Sequence, residues 1–287
     1  MAKNTFYILN GEIERAENYN LPYSEVFTGC EYVEETIRLY NTHPLFLQSH
    51  IQKICNTLDI LAIAHPLKFD TQRISRFVTR LLNINKVYKG GICKIIVFRK
   101  SDIFMGIDYK NIHFAIFIEP LPKLDYEFNS EGLHIGCNAS IQIFPPYLPS
   151  KYNLHSVIQN KTITLAKMQN LDALCYYNYN NSIFASSLGD IMYVSDNKIY
   201  TPNSVLNPFR HPLSENLMLF AQKNGYEFIQ VNSISEKDLL QADEVFLVHT
   251  IYGIQWVNTT NESTYGYKTS KKIYQLLLKM ILLVSNN

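Results

Sequence analysis

Residues 241–257, QADEVFLVHTIYGIQWV, constrain the fold most strongly, because they predict a helix end, a buried strand and a turn in direct succession. A leucine-rich stretch precedes Asp243 and Glu244, and the apolar run VFLV that follows them is typical of a buried strand. His249 and Thr250 end this run. We therefore expect backbone amides and a hydroxyl group at the end of the strand, in a position to hold a ligand.

The composition is that of a globular protein with no bias toward polyanionic partners. The 287 residues are 47% hydrophobic and 18% charged, with a net charge of +1. The length suffices for one large domain or two smaller ones, and the charge gives no reason to expect binding to nucleic acid or to an anionic membrane. The N-terminus lacks the apolar stretch of a secretory signal, and residues 273–284 are too few to span a bilayer. A cytoplasmic protein is expected.

The five cysteines are isolated in the sequence and include no CxxC pair, which argues against a disulfide framework and against a zinc site. We expect them to be small packing residues in a reducing compartment. They are Cys30, Cys55, Cys93, Cys137 and Cys175.

Periodicity predicts an α+β chain of two domains, residues 1–120 and 121–287. The boundary is placed at the sequence Pro120-Leu121-Pro122, whose two prolines interrupt the pattern. The first half has two amphipathic helices, over residues 47–61 and 74–82, and an antiparallel pair of strands, 93–98 and 113–119. The second half begins with the strand LHIGCNASI and the proline-rich turn PPYLPSK, and a helix over 154–168 follows. Short strands meet at a hairpin tip, Asp196-Asn197. Further helices are expected to begin at Ser214, at the capping pair Ser235 and Asp238, and at Thr269 or Ser270.

Several of these segments together resemble the class IV (fold type IV) pyridoxal-phosphate enzymes. They are ILNGEIERAE, EETIRLYNTHPLFLQSHIQKI, DAL, KIYTP and LLQADEVFLVHTIYGIQWV, in the family's order over residues 8–257. The family includes branched-chain aminotransferases, D-amino acid aminotransferases and aminodeoxychorismate lyase. The resemblance implies the two-domain fold of D-amino acid aminotransferase, the cofactor pyridoxal 5'-phosphate, an amino acid or amino-chorismate type substrate, and a homodimer.

The resemblance also assigns a catalytic lysine, which binds the cofactor as a Schiff base. Counted back without a gap from Ala173-Leu174, this lysine is Lys151. The position suits the role because the chain leaves a strand there and begins a helix, a junction at which side chains face clefts. The alternative is a solvated lysine at a helix start.

Cofactor-binding positions depart from the family pattern. The glutamate that partners the pyridine nitrogen in the family's TExxSxN segment is Ala185 here, and Asp190 is the nearby acid. The phosphate-binding arginine of HxxRL is Lys53, which keeps the charge and loses the two-pronged geometry.

The phosphate loop departs as well. The family's GITR loop, at a helix N-terminus, becomes His211-Pro212-Leu213-Ser214, in which Pro212 has no amide hydrogen and Leu213 has no hydroxyl. Thr250 is retained, but the glycine before it is His249 and a small residue after it is Ile251. His249 either donates to a phosphate or fills the space that the phosphate takes.

The substrate-binding region is altered too. Glu34 and Tyr32 replace the family's aromatic residue and glycine, and Glu34 repels a substrate carboxylate. Lys94 and Arg99 either bind that carboxylate or lie on a solvated strand face.

Two functions follow from these observations. The first is a pyridoxal-phosphate enzyme, a transaminase or an aminodeoxychorismate lyase, acting through Lys151. The second is a family member that has lost this chemistry and acts as a binding or partner protein.

Overall fold

The computed structural model describes residues 6–16, 31–102, 106–137, 142, 151–207, 210–260 and 262–285. The chain forms two compact units: Met1–Asp125 with Leu148–Leu154, and Tyr126–Tyr147 with His155–Asn287. Each unit contains a β-sheet and packed helices, so the architecture is mixed α and β. Within the described ranges, no helix is both long and apolar enough to cross a membrane.

The elements are numbered in chain order. The strands are β1 (Phe6–Leu9), β2 (Glu12–Arg15), β3 (Glu31–Tyr40), β4 (His43–Pro44), β5 (Gly91–Asp102), β6 (Gly106–Pro120), β7 (Leu133–Gly136), β8 (Lys151–Tyr152), β9 (Ala173–Tyr177), β10 (Ile183–Ser186), β11 (Asp190–Ser195), β12 (Lys198–Pro202), β13 (Phe228–Val231), β14 (Glu244–His249) and β15 (Gly253–Thr259). The helices are α1 (Leu47–Ile60), α2 (Thr71–Asn85), α3 (Asn153–Met168), α4 (Pro212–Lys223), α5 (Glu236–Leu240) and α6 (Lys268–Ser285).

The first unit is a sheet covered by two helices. Its strand order is β2-β1-β6-β5-β3-β4, and β8 pairs with β3. Strands β5 and β6 are antiparallel, with Cys93 opposite Ile118, which confirms the predicted pair. The predicted helices are confirmed as α1 and α2, because their apolar residues at three- and four-residue spacing are buried in one core with the sheet. Cys93 belongs to that core, as expected.

The second unit is a sheet of order β10-β9-β7-β15-β14-β11-β12-β13. Strand β14 is buried from Glu244 to Val248, so the prediction of a buried strand is confirmed, and His249 at its end is only partly covered. The hairpin between β11 and β12 is also confirmed: Asp196 and Asn197 have φ of 51° and 61°, the left-handed conformation that tight hairpin turns require. Helix α3 covers the predicted range.

Two predicted helix starts were wrong by one or two residues. Helix α4 begins at Pro212, with His211 as its N-cap, so Ser214 lies inside its first turn. Helix α6 begins at Lys268, and the buried carboxylate of Glu244 accepts hydrogen bonds from the amides of Thr269 and Ser270. The helix α5 has the predicted capping box. The strand LHIGCNASI is described only to residue 137, and of PPYLPSK only Lys151 lies inside the described residues.

Candidate functional site

The turn between β14 and β15 is a three-residue connection, Thr250 to Tyr252, in which His249 pairs with Gly253. Gly253 has φ of +71°, and a Cβ atom there would lie 2.6 Å from the ring of Tyr126. The hydroxyl of the same Tyr126 donates to the Thr250 carbonyl at 2.6 Å. Tyr126 therefore holds the turn from both sides, and only glycine fits against it.

The imidazole of His249 folds back over this turn. Its Nδ1 accepts hydrogen bonds from the backbone amides of Ile251, at 3.0 Å, and Tyr252, at 3.3 Å. An acceptor nitrogen carries no proton, so this arrangement requires the tautomer protonated on Nε2. The ring also stacks on Tyr252, with 4.9 Å between centroids. The two turn amides that face the strand end are thus bonded to a side chain of the protein.

The hydroxyl of Thr250 is engaged by a second histidine. Its Oγ1 lies 3.0 Å from Nδ1 of His211, the residue that precedes α4. The two imidazole rings lie 5.0 Å apart, tilted by 58°. Thr250 itself is buried. The β14 turn and the start of α4 are therefore joined through side chains.

Asp190 stabilises the N-terminus of α4. Its Oδ2 accepts from the backbone amide of His211, at 2.8 Å, and from the hydroxyl of Ser214, at 2.5 Å, while Oδ1 accepts from Asn207 at 2.8 Å. The carboxylate is buried, and it lies beside the end of β14 because Asp190 pairs with Val248. A negative charge is favourable at a helix N-terminus, so Asp190 occupies the position that suits a bound anion. We call Asp190, His211, His249 and Thr250 the histidine cluster.

The other loop residue that was predicted to bind the cofactor, Leu213, is almost fully buried in the first turn of α4. Its side chain packs inward and offers no polar group. Pro212, in the first helical position, has no amide hydrogen. The first turn of α4 thus has fewer free donors than an ordinary helix start.

Ala185 lies on β10 in an apolar environment. It is buried and packs with Phe184 against Ile158, Tyr176 and Leu206. Burial raises the pKa of the Tyr176 hydroxyl to about 12, so this group is neutral at physiological pH. The environment favours an uncharged side chain at position 185, as the alanine is.

Lys53 belongs to the first unit, where it forms an ion pair that is largely, but not fully, buried. Its Nζ lies 3.2 Å from Oε1 of Glu35, and Nδ1 of His50 lies 2.7 Å from Oε2 of the same carboxylate. His50 and Lys53 lie one helical turn apart on α1, and Glu35 lies on the adjacent strand β3. The ammonium charge of Lys53 is therefore matched by Glu35.

The backbone of Lys151 lies in β8, opposite Glu34 of β3. The position of its side chain lies outside the described structure. Glu34 itself is 3.7 Å from Lys94 in a partly exposed ion pair. Arg99 is buried, so the interpretation of its strand face as solvated was wrong for this residue. Arg99 lies on the buried face of β5 with Cys93, Ile95 and Val97, whereas Lys94 lies on the opposite, partly exposed face.

Sequence reasoning missed two members of this site. His211 was noted only as the first residue of a loop; it precedes α4, and its ring bonds to Thr250 instead of capping the helix, which no local pattern indicates. Tyr126 has no local signal, because it lies 124 residues from the turn that it holds. Contacts of that separation are not visible in local patterns.

Comparisons with known proteins connect this geometry to a family. The sequence model described as "Amino-transferase class IV" matches residues 33–259. The aminodeoxychorismate lyase of Vibrio harveyi is 24% identical over 130 residues, which make up 44% of this chain and 46% of the lyase. The matched segment thus spans less than half of that relative.

Solved structures show the same fold over nearly the whole chain. The branched-chain aminotransferase of Thermobaculum terrenum in its PLP form has a TM-score of 0.85 at 14% identity, with 98% of this chain and 95% of that chain covered. That of Thermoproteus uzoniensis with norvaline has a TM-score of 0.82 at 16% identity, covering 98% and 95%. The Escherichia coli enzyme has a TM-score of 0.83 at 16% identity, covering 95% and 92%. At such identities the likeness establishes the fold, and together with the family match it identifies the chain as a member of the class IV aminotransferase family with the fold type IV architecture.

Proposed function

We propose that this chain keeps the class IV fold without pyridoxal-phosphate catalysis and acts as a binding or partner protein. The proposal rests on one observation above all: Nδ1 of His249 accepts both turn amides, of Ile251 and Tyr252. The family resemblance makes this turn one wall of the phosphate site, where free backbone amides would be the donors. In this chain both amides already donate to an imidazole nitrogen of the protein itself.

Three other potential donors of the described residues near that position are also engaged or missing. The Thr250 hydroxyl bonds to His211, Pro212 has no amide hydrogen, and the amide of His211 donates to Asp190. A phosphate would have to break these bonds, and it would approach a helix N-terminus that already carries a carboxylate. Like charges at short range repel strongly where water is excluded. The residues present therefore do not fit the phosphate of pyridoxal 5'-phosphate.

Ala185 supports the same conclusion from the other end of the cofactor. The pyridine nitrogen needs a carboxylate partner to stay protonated. Alanine offers none, and the carboxylate of Asp190 is held by three hydrogen bonds, from His211, Ser214 and Asn207. Without a carboxylate partner, the pyridine ring of the cofactor would be a weak acceptor of electrons from a substrate, even if its phosphate could be accommodated.

The test is cofactor binding by the purified full chain. The protein is incubated with pyridoxal 5'-phosphate and dialysed; its visible absorbance is recorded, and borohydride-reduced samples are mapped for a modified lysine. A branched-chain aminotransferase serves as positive control, and Lys151→Ala identifies labelling of other lysines. We expect a colourless protein whose label does not depend on Lys151. Stoichiometric absorbance with the label on Lys151 would refute the proposal.

A second function is favoured by the retention of Thr250 at the buried end of β14 and by a lysine at position 151. It is pyridoxal-phosphate-dependent transamination of an amino acid, or aminodeoxychorismate lyase chemistry, with Lys151 as the cofactor lysine. Product analysis with amino donors and with aminodeoxychorismate separates the two activities. The homodimer implied by the family is a further proposal, which size-exclusion chromatography with light scattering tests.

A variant that restores one family residue separates the two functions. Ala185→Glu introduces an acid into the apolar environment of Ile158, Tyr176 and Leu206. On the binding-protein proposal this change alone does not give tight cofactor binding, because the donors at the β14 turn stay engaged. Ala185→Gln is the matched control for size. Tight binding by Ala185→Glu alone would favour the enzyme.

A further inference from the structure

Two cysteines that are 38 residues apart in the sequence meet in the second unit. Strands β7 and β9 run parallel, with Ile135 opposite Ala173 and Gly136 opposite Leu174. The next pair in this register is Cys137 and Cys175, and their Sγ atoms lie 3.6 Å apart. Adjacent strands are separated by about 4.8 Å, which lies within the range of Cα distances, about 4.4–6.8 Å, that a disulfide spans.

The two thiols differ in accessibility. Cys175 is completely buried in the core of the second unit, while Cys137, just beyond the end of β7, is partly exposed. A small oxidant in solution therefore reaches Cys137 first. Cys175 is placed behind it, shielded from solvent and within contact distance. This is the arrangement of an attacking thiol and a resolving thiol.

The ionisation of the pair follows the same asymmetry. The hydrogen bond with Cys175, and to a smaller extent that with Tyr177, lowers the pKa of Cys137 although burial and the nearby Glu236 and Glu262 raise it. The same bond, together with burial, raises the pKa of Cys175 well above its usual value. Cys137 is thus the group that ionises, and the thiolate is the reactive form of cysteine.

We propose that Cys137 and Cys175 are an oxidation site that forms a reversible disulfide in the presence of a hydroperoxide. The Cys137 thiolate attacks a peroxide oxygen, the O–O bond breaks, and Cys137 becomes a sulfenic acid as hydroxide leaves and is protonated to water. Cys175 then attacks the Cys137 sulfur, an S–S bond forms, and a second water leaves with the Cys175 proton. Two thiols are oxidised and one hydrogen peroxide is reduced to two waters. A dithiol reductant reverses the reaction.

The experiment uses the full reduced chain and hydrogen peroxide. After treatment, the protein is denatured, free thiols are blocked with N-ethylmaleimide, and peptides are mapped by mass spectrometry with and without dithiothreitol. We expect a cross-linked peptide pair containing Cys137 and Cys175, lighter by two hydrogens, that dithiothreitol removes. Cys137→Ser should reduce the cross-link to the level of the peroxide-free control.

Two further variants keep the test decisive. Cys93→Ser changes a buried cysteine of the first unit and should leave the cross-link unchanged. Cys175→Ala should abolish the cross-link and leave Cys137 to proceed to the sulfinic acid; a thermal melt checks that this core variant is folded. The proposal is overturned if Cys137 reaches the sulfinic acid in the unmodified chain without a cross-link, if it does not react, or if the cross-link joins another cysteine such as Cys30.

Discussion

Replacing His249 by the family's glycine tests whether the imidazole holds the β14 turn. His249→Gly removes the acceptor of two backbone amides, those of Ile251 and Tyr252. Ile251 is buried and Tyr252 is exposed, so the lost hydrogen bond to Ile251 should cost more free energy of unfolding than that to Tyr252. A net hydrogen bond contributes about 0.5–1.5 kcal/mol, and glycine adds about 0.5–1 kcal/mol of backbone entropy loss on folding. The expected loss of stability is therefore about 2 kcal/mol, or roughly 4–8 °C in Tm at about 2–4 °C per kcal/mol.

The matched control keeps an acceptor at the same position. In His249→Asn the side-chain oxygen can accept from the amide two residues on, as asparagine commonly does in turns. We expect it to lose less than half as much stability as the glycine variant. Circular dichroism melts of the three proteins measure the difference. If the glycine variant melts with the unmodified protein, the imidazole is not the acceptor that the geometry indicates.

The same variant frees the turn amides for an anion. We expect inorganic phosphate to raise the Tm of His249→Gly and to leave the unmodified protein unchanged. A ligand at a hundred times its Kd stabilises by about 2.7 kcal/mol, so saturation would more than restore the lost stability. Equal stabilisation of both proteins by phosphate would refute the argument that His249 excludes it.

Three further predictions concern single residues. Asp190→Asn should lower the free energy of unfolding, measured in urea, by about 3 kcal/mol, because the N-terminus of α4 loses its charged acceptor. The control Asp196→Asn, at the hairpin tip, should change it by less than about 0.5 kcal/mol. Gly253→Ala should destabilise by about 2–3 kcal/mol in the same assay, and Gly225→Ala, which has a similar positive φ but open space around it, should show only the backbone part of about 1 kcal/mol. At neutral pH iodoacetamide should label Cys137 before Cys55, as measured by mass spectrometry. A hydrogen bond lowers the pKa of Cys137 while burial raises that of Cys55, so the Cys137 thiolate forms at lower pH. Faster labelling of Cys55 would contradict this prediction.

The parts of the fold that the sequence predicts are those that depend on local patterns. Helices α1 and α2 follow from apolar residues at three- and four-residue spacing, and the β11–β12 hairpin follows from the Asp196-Asn197 pair. The family order of motifs then supplies the architecture that local patterns cannot. These predictions succeed because each depends on the burial of one face or on the conformation of one turn.

The parts that the sequence does not predict depend on the direction of individual side chains. His249 was equally compatible with donating to a phosphate or with filling its place, and only the position of Nδ1 against the amides distinguishes the two. Asp190 was considered as a partner for the cofactor ring, yet its carboxylate bonds to the start of α4. Arg99 carries a charge and nevertheless lies on the buried face of β5. The directions of these side chains depend on contacts with residues that are distant in sequence.

The carboxylate of Asp190 determines which substitutions the start of α4 tolerates. The buried anion belongs to the chain itself and stabilises this helix start without an external anion. Removing Asp190 alone leaves the helix without its acceptor, and introducing donors alone leaves them facing a negative charge. Each single step back toward phosphate binding therefore passes through a less stable protein. Tight binding of the cofactor phosphate therefore requires changes at the start of α4 as well as at the β14 turn.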